Sequence, residues 1–111
     1  AGLCCGEPNI LGWDILRNHV TAFVSCPDWV TARGMRTLGA PEKGDPRVIS
    51  GESGAVTTGL VETLMLDPEY AELKELIGLD KTSSVLCFST EGDTDPDQYR
   101  RIVWEGEYPT C

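Results

Sequence analysis

Val20-Thr21-Ala22-Phe23-Val24-Ser25 is short, β-branched and apolar at both alternations. That pattern suits a strand buried between two layers better than one with a wet face. Two further stretches read the same way, Arg47-Val48-Ile49-Ser50 and Ser84-Val85-Leu86-Cys87-Phe88-Ser89. Around them the chain is written for helices. Asn9 stands ahead of Leu11, Ile15 and Leu16, which predicts a short capped helix ending near Asn18-His19. A second helix is expected over 28–38, with Ser25 or Cys26 at its cap, Pro27 in its first turn and Asp28 complementing the dipole. Val30, Gly34 and Leu38 repeat along one face of it, and Gly34, costing about 1 kcal/mol against Ala, predicts close packing on a neighbour.

Residues 39–46 read as a surface loop. Gly51-Glu52-Ser53-Gly54-Ala55 then opens a third helix running through Val56, Leu60, Val61 and Leu64 toward Asp67-Pro68. A fourth over 69–77 presents Leu73, Leu76 and Ile77 and closes on Gly78. The last, roughly 96–104, is expected to bury Tyr99, Ile102 and Val103. The order α-β-α-β-α-α-β-α predicts an α/β fold: a three-layer piece of a mostly parallel sheet flanked by helices, with about three strands, five helices and right-handed crossovers. Three strands are few for such a sheet, so neighbouring strands from outside the chain are expected.

The chain has 111 residues, 41% hydrophobic and 24% charged, which fits one small domain or a piece of one over 1–111. Eighteen acidic against nine basic side chains give a net charge of -9, a balance that disfavours nucleic acid and anionic lipid as partners. No stretch approaches the ~20 apolar residues of a membrane span, and Ala1–Asn9 lack the features of a signal peptide. The expectation is a cytoplasmic protein. Both ends read as cut, which suggests part of a longer polypeptide. Cys4, Cys5, Cys26, Cys87 and Cys111 are odd in number and without C-x-x-C spacing, and His19 is the sole histidine, so no zinc framework is expected.

In open α/β sheets the ligand site lies beyond the carboxyl ends of the strands, here just after residues 25, 50 and 89. After residue 50, Gly51-Glu52-Ser53-Gly54-Ala55 sets small residues and a hydroxyl at a helix start, where backbone N–H groups point outward. A plain capped turn has the same grammar. After residue 89, Ser89-Thr90-Glu91-Gly92-Asp93-Thr94-Asp95 offers three carboxylates and three hydroxyls, without a phosphate-loop Lys and with incomplete calcium-loop spacing. The plainer reading has Asp95 capping the last helix and binds no metal. His19 has no nucleophile or carboxylate that local spacing can place beside it, and Lys43, Lys74 and Lys81 all lie away from the strand ends.

Taken together and in order, Gly2-Leu3 with Cys5-Gly6-Glu7-Pro8-Asn9, Ser50 to Ala55, Ser89 to Asp95, and Tyr99-Arg100-Arg101-Ile102-Val103-Trp104 closely resemble the C-terminal part of the diaminopropionate ammonia-lyases. More broadly the chain resembles the tryptophan synthase β-like, fold-type II enzymes that use pyridoxal 5'-phosphate. The resemblance implies elimination of 2,3-diaminopropionate to pyruvate and ammonia. It also implies that Ser53 contacts the cofactor's ring nitrogen and that Gly54, Glu91, Gly92 and Asp93 border the cofactor. Glu52 and Asp28 are candidates for the substrate cleft. No lysine stands in a Schiff-base motif and no glycine run cradles a phosphate, so this piece is expected to hold no catalytic residue and to be inactive alone. The implied partners are a small amino-acid substrate, the rest of the same polypeptide and a second copy in a homodimer. A threonine or serine dehydratase shares the Ser-Gly-Ala turn, and a stand-alone acidic α/β binding module is the alternative outside enzymes.

Overall fold

Asn9 is extended, and its side chain accepts the Gly12 amide at 2.9 Å, which satisfies one of the orphan N–H groups of helix α1 (Ile10–His19). Asp95 does the same at the other end of the chain, accepting the Gln98 amide at 3.0 Å to start α5 (Pro96–Val103), with Pro96 in the first turn. Between them lie α2 (Asp28–Gly39), α3 (Glu52–Leu66), a 3₁₀ turn (Pro68–Tyr70) and α4 (Ala71–Leu76). This computed structural model describes residues 4–109. Gly2-Leu3 of the first motif and the terminal Cys111 lie outside the described residues.

The helices fall close to their sequence signals, with two departures. Pro27 rather than Ser25 or Cys26 precedes α2, and no side chain caps it. The fourth helix is split, because Pro68 opens a tight turn that passes into α4 only at Ala71. Gly78 closes it at φ +73°, in the left-handed region.

The expected sheet is absent: residues 20–25, 47–50 and 84–89 are irregular, and the described residues contain five helices, one 3₁₀ turn and no strand. The α/β three-layer expectation is therefore corrected to a helical arrangement joined by irregular segments. β-Propensity reports fit to a pleated surface made by other strands, and these three stretches do not supply it to one another. Phe23, Val24, Val48, Ile49, Val85, Leu86 and Phe88 are all exposed. The cross-links at the ends of these stretches are isolated: Val48 N–H donates to Leu38 O at 2.9 Å, and Gly51 N–H to Glu91 O at 3.0 Å.

The core lies where α2 crosses α3. Ala32, Met35 and Ala55 are fully buried there, and α5 adds Tyr99 and Ile102, with Leu38 and Val103 packed at the margin. Arg33 of α2 ties the crossing together. Its Nη1 donates to Asp67 Oδ2 at 2.6 Å and to Thr63 Oγ1 at 3.1 Å, and its Nε donates to Glu62 Oε1 at 3.2 Å. The Asp67 hydrogen bond is the main reason the guanidinium is held above its ordinary pKa.

Arg36, one turn on, clamps the C-terminal tail through carbonyls alone: Nε to Ile102 O at 2.9 Å, Nη1 to Tyr108 O at 3.3 Å, and Nη2 to Glu107 O. By contrast α1 packs on none of the other helices and buries none of its residues, its Trp13 ring lying 6.0 Å from that of Phe23. No helix of the described residues is long and apolar enough to cross a membrane.

Candidate functional site

Ser50 is 1% exposed at the end of its stretch, and its hydroxyl accepts from Ser89 Oγ at 2.9 Å. That bond draws the loop after residue 89 against the start of α3. Gly54 makes the approach possible, since a Cβ there would lie 2.6 Å from Ser50 Oγ and 2.8 Å from Ser89 Cα. Gly51 does so too, because a Cβ on it would meet Gly92 O at 2.6 Å and Glu91 Cγ at 2.7 Å. Gly51 and Gly54 are thus small because the loop touches them, whereas a Cβ on Gly92 would meet nothing within 4 Å.

On this platform Ser53 sits half-buried in the first turn of α3, and its amide donates to Glu91 Oε1 at 3.4 Å. Thr94 Oγ1 donates to the other carboxylate oxygen at 3.3 Å. These donors hold the Glu91 carboxyl below its ordinary range, the Ser53 side-chain hydrogen bond first, then the Ser53 amide, with Thr94 contributing less. A carboxylate at a helix N-terminus is further favoured by the helix dipole.

A cleft of about 490 Å³ opens beside this pair, lined in part by Asp28, Glu52, Glu91, Thr94, Asp95 and Gln98. Asp28 comes from the first turn of α2 and Glu52 from that of α3, so two helix starts and the loop before α5 meet at one mouth. Of the residues singled out in the sequence, Ser53, Gly54, Glu91 and Gly92 are brought together, and Asp28 and Glu52 share the cleft with Glu91. Asp93 is exposed and does not line it.

Sequence reading passed over Tyr108, whose φ of +54° places it in the left-handed region and which also lines the cleft. Its position is set by Arg36, 72 residues away, so no local signal announces it. Ser50 was legible as the end of a stretch and as the first residue of the Ser50-to-Ala55 string, without a role of its own.

Among the described residues the cleft lining carries carboxylates and no lysine or arginine. It therefore favours ammonium groups and repels phosphate. The described residues contain no group of three or more His, Cys, Asp and Glu placed to hold a metal ion. Burial pushes the Cys26 thiol up, away from the thiolate form that nucleophilic chemistry needs.

No family model matches the chain. It is 56% identical over 108 residues to the diaminopropionate ammonia-lyase of Escherichia coli K12, a match that covers 97% of this chain and 27% of that protein. Identity to the diaminopropionate ammonia-lyase of Salmonella typhimurium LT2 is 50% over 107 residues, covering 96% of this chain and 26% of that one. The backbone superposes on the crystal structure of the Escherichia coli diaminopropionate ammonia lyase in complex with D-serine with a TM-score of 0.94 at 54% identity, over 100% of this chain and 28% of that chain. On the same enzyme in complex with an aminoacrylate-PLP azomethine reaction intermediate the TM-score is 0.93, over 100% of this chain and 29% of that chain. The chain spans about a quarter of the length of the curated relatives it matches. In sequence and in backbone alike, it corresponds to that portion of a diaminopropionate ammonia-lyase.

Proposed function

We propose that this chain is the C-terminal part of a pyridoxal-phosphate-dependent ammonia-lyase that converts 2,3-diaminopropionate to pyruvate and ammonia by elimination. The observation that carries the reading is 56% identity over 97% of the chain, joined to a TM-score of 0.94 on the relative's structure. The exposed apolar stretches Phe23-Val24, Val48-Ile49 and Val85 to Phe88 support a larger fold in which the rest of the polypeptide covers them. Pairing of two whole chains as a homodimer, in the cytoplasm, belongs to the same reading.

The residues present suit the ring end of the cofactor. Ser53 offers a half-buried hydroxyl at a helix start, and Gly54 beside it lets the loop after residue 89 close against that start. Ser53 would hold the ring nitrogen, with Gly54, Glu91 and Gly92 around it and Asp93 further out on the same loop. When bound, the cofactor supplies an electron sink for the amino acid's α-carbon. Asp28 and Glu52 give the cleft a negative wall suited to orienting the ammonium groups of a diamino acid. The phosphate and the Schiff-base lysine have no counterpart here: Lys43, Lys74 and Lys81 do not line the cleft. Those groups come from the rest of the polypeptide, and this piece alone is inactive.

A substrate panel on the full-length chain tests the assignment. Turnover of 2,3-diaminopropionate should exceed that of threonine and serine. Faster turnover of threonine would move the enzyme to the dehydratases.

A further inference from the structure

Helix α5 ends on carbonyls that no further turn can serve, and Arg36 meets one of them. Its Nε donates to Ile102 O at 2.9 Å, where a cation also complements the negative end of the helix dipole. The same guanidinium reaches past the helix: Nη1 donates to Tyr108 O at 3.3 Å and Nη2 to Glu107 O, so one half-buried side chain joins α2 to the segment after α5. That segment, residues 105–109, doubles back on α5. Gly106 turns the chain at φ +78°, Glu107 N–H donates to Arg101 O at 3.1 Å, and the Glu107 carboxylate pairs with Arg101 Nε at 3.0 Å. Tyr108 then stands at φ +54°, where glycine rests freely and a tyrosine is held only by its surroundings. Here Arg36 does the holding, on the carbonyl of Tyr108 and on the one before it. The conformation sets Tyr108 in the lining of the cleft that also holds Asp28, Glu52 and Glu91, and among the described residues it is the only aromatic there. An aromatic face attracts an ammonium group, and so do the carboxylates.

We infer that residues 105–109 are a strap on the substrate cleft and that Arg36 is its positioning residue, holding Tyr108 as the wall against which the 3-ammonium group of the substrate lies. This rests on the reading of the cleft as the one that takes a diamino acid. It adds to that reading a residue that tells 2,3-diaminopropionate from serine, whose 3-substituent is an uncharged hydroxyl and gains nothing from the charge–ring attraction. Arg36 itself does not line the cleft. It acts through the backbone of Glu107 and Tyr108.

The test is steady-state kinetics of the full-length holoenzyme on 2,3-diaminopropionate and on serine, with Tyr108→Gly, Tyr108→Phe, Arg36→Lys, and Arg36→Lys combined with Tyr108→Gly. Tyr108→Gly keeps the left-handed backbone and removes the ring. It should raise KM for diaminopropionate about fivefold and KM for serine less than about twofold, with the loss in KM rather than kcat, the pattern of a lost contact to the charged group. Tyr108→Phe keeps the aromatic face and should recover most of the affinity. Arg36→Lys keeps the charge but not the fork that spans three carbonyls. It should raise KM for diaminopropionate, speed hydrogen exchange at the Glu107 amide, and do no further harm when Tyr108→Gly is added, since both changes remove the same wall. The Tyr108 variants decide the matter if Arg36→Lys does not fold. Equal losses on both substrates in Tyr108→Gly, or none, overturn the inference. So does faster exchange in Arg36→Lys without a rise in KM, which would make the latch structural alone. A wild-type enzyme that turns over serine and no diaminopropionate brings down the reading of the substrate, and the role of Tyr108 with it.

Discussion

Gly34 and Gly59 face each other where α2 crosses α3, and neither has room for a side chain. A Cβ on Gly34 would lie 2.0 Å from Ala55 O, and one on Gly59 would lie 1.9 Å from Val30 O. The two helices therefore touch backbone to backbone. The crossing fixes where α3 begins, and hence where Ser53 stands relative to α2 and Asp28.

Gly34→Ala and Gly59→Ala should each force the helices apart. Helix propensity returns about 1 kcal/mol, but overpacking against a backbone carbonyl that cannot rotate away, at the upper end of about 3 kcal/mol, outweighs it, for a net loss of about 2 kcal/mol. Thermal unfolding of the full-length variants measures this. Neutral substitutions at both sites would contradict the backbone contact.

Arg33 is the second tie across the same crossing. Its side chain is 19% exposed and serves Glu62, Thr63 and Asp67 at once. Arg33→Ala strands two half-buried carboxylates beside each other, a loss of about 2–3 kcal/mol. Arg33→Lys should recover less than half of it, because one ammonium cannot reproduce the planar fork. Denaturant midpoints of the three proteins decide the point.

Tyr99 is buried, yet its hydroxyl has no hydrogen-bond partner among the described residues. The oxygen lies against Gly39, where a Cβ would be 2.7 Å away. Tyr99→Phe removes an unpaired buried polar group without altering the ring, so it should raise stability by roughly 1 kcal/mol. A lower melting temperature would mean that the hydroxyl finds a partner in the whole protein.

The Glu91 carboxyl is depressed from its ordinary value of 4.5, so below that value the unfolded chain takes up a proton there more readily than the folded one. The stabilisation is complete above about 4.5 and is lost as pH falls through the depressed value. Glu91→Gln should therefore flatten the acid limb of the stability curve and leave its neutral part displaced by a constant amount. Parallel curves for the two proteins down to strongly acid pH would contradict the Ser53 contact.

Local signals were the legible part of the fold. Asn9 and Asp95 are read as caps because a cap is completed within three residues of itself. Gly34 is read as a close approach because a mid-helix glycine needs a reason; Gly59, its counterpart across the crossing, was not singled out. The stretches at 20–25, 47–50 and 84–89 misled because β-branched residues announce only readiness to pair, while a strand exists only with a partner. At the site, Ser53 and Glu91 are 38 residues apart and met in the sequence only through resemblance to a family. Asp93, counted with them for its place in the string, turns away into solvent. Tyr108 escaped notice because a guanidinium on α2 puts it where it is.

Pyruvate release from 2,3-diaminopropionate, measured side by side for the full-length chain and for the 111-residue piece, tests the central claim most directly. The account predicts release by the full-length chain with pyridoxal phosphate bound, and none by the piece. Absence of both cofactor and activity in the full-length chain would contradict it.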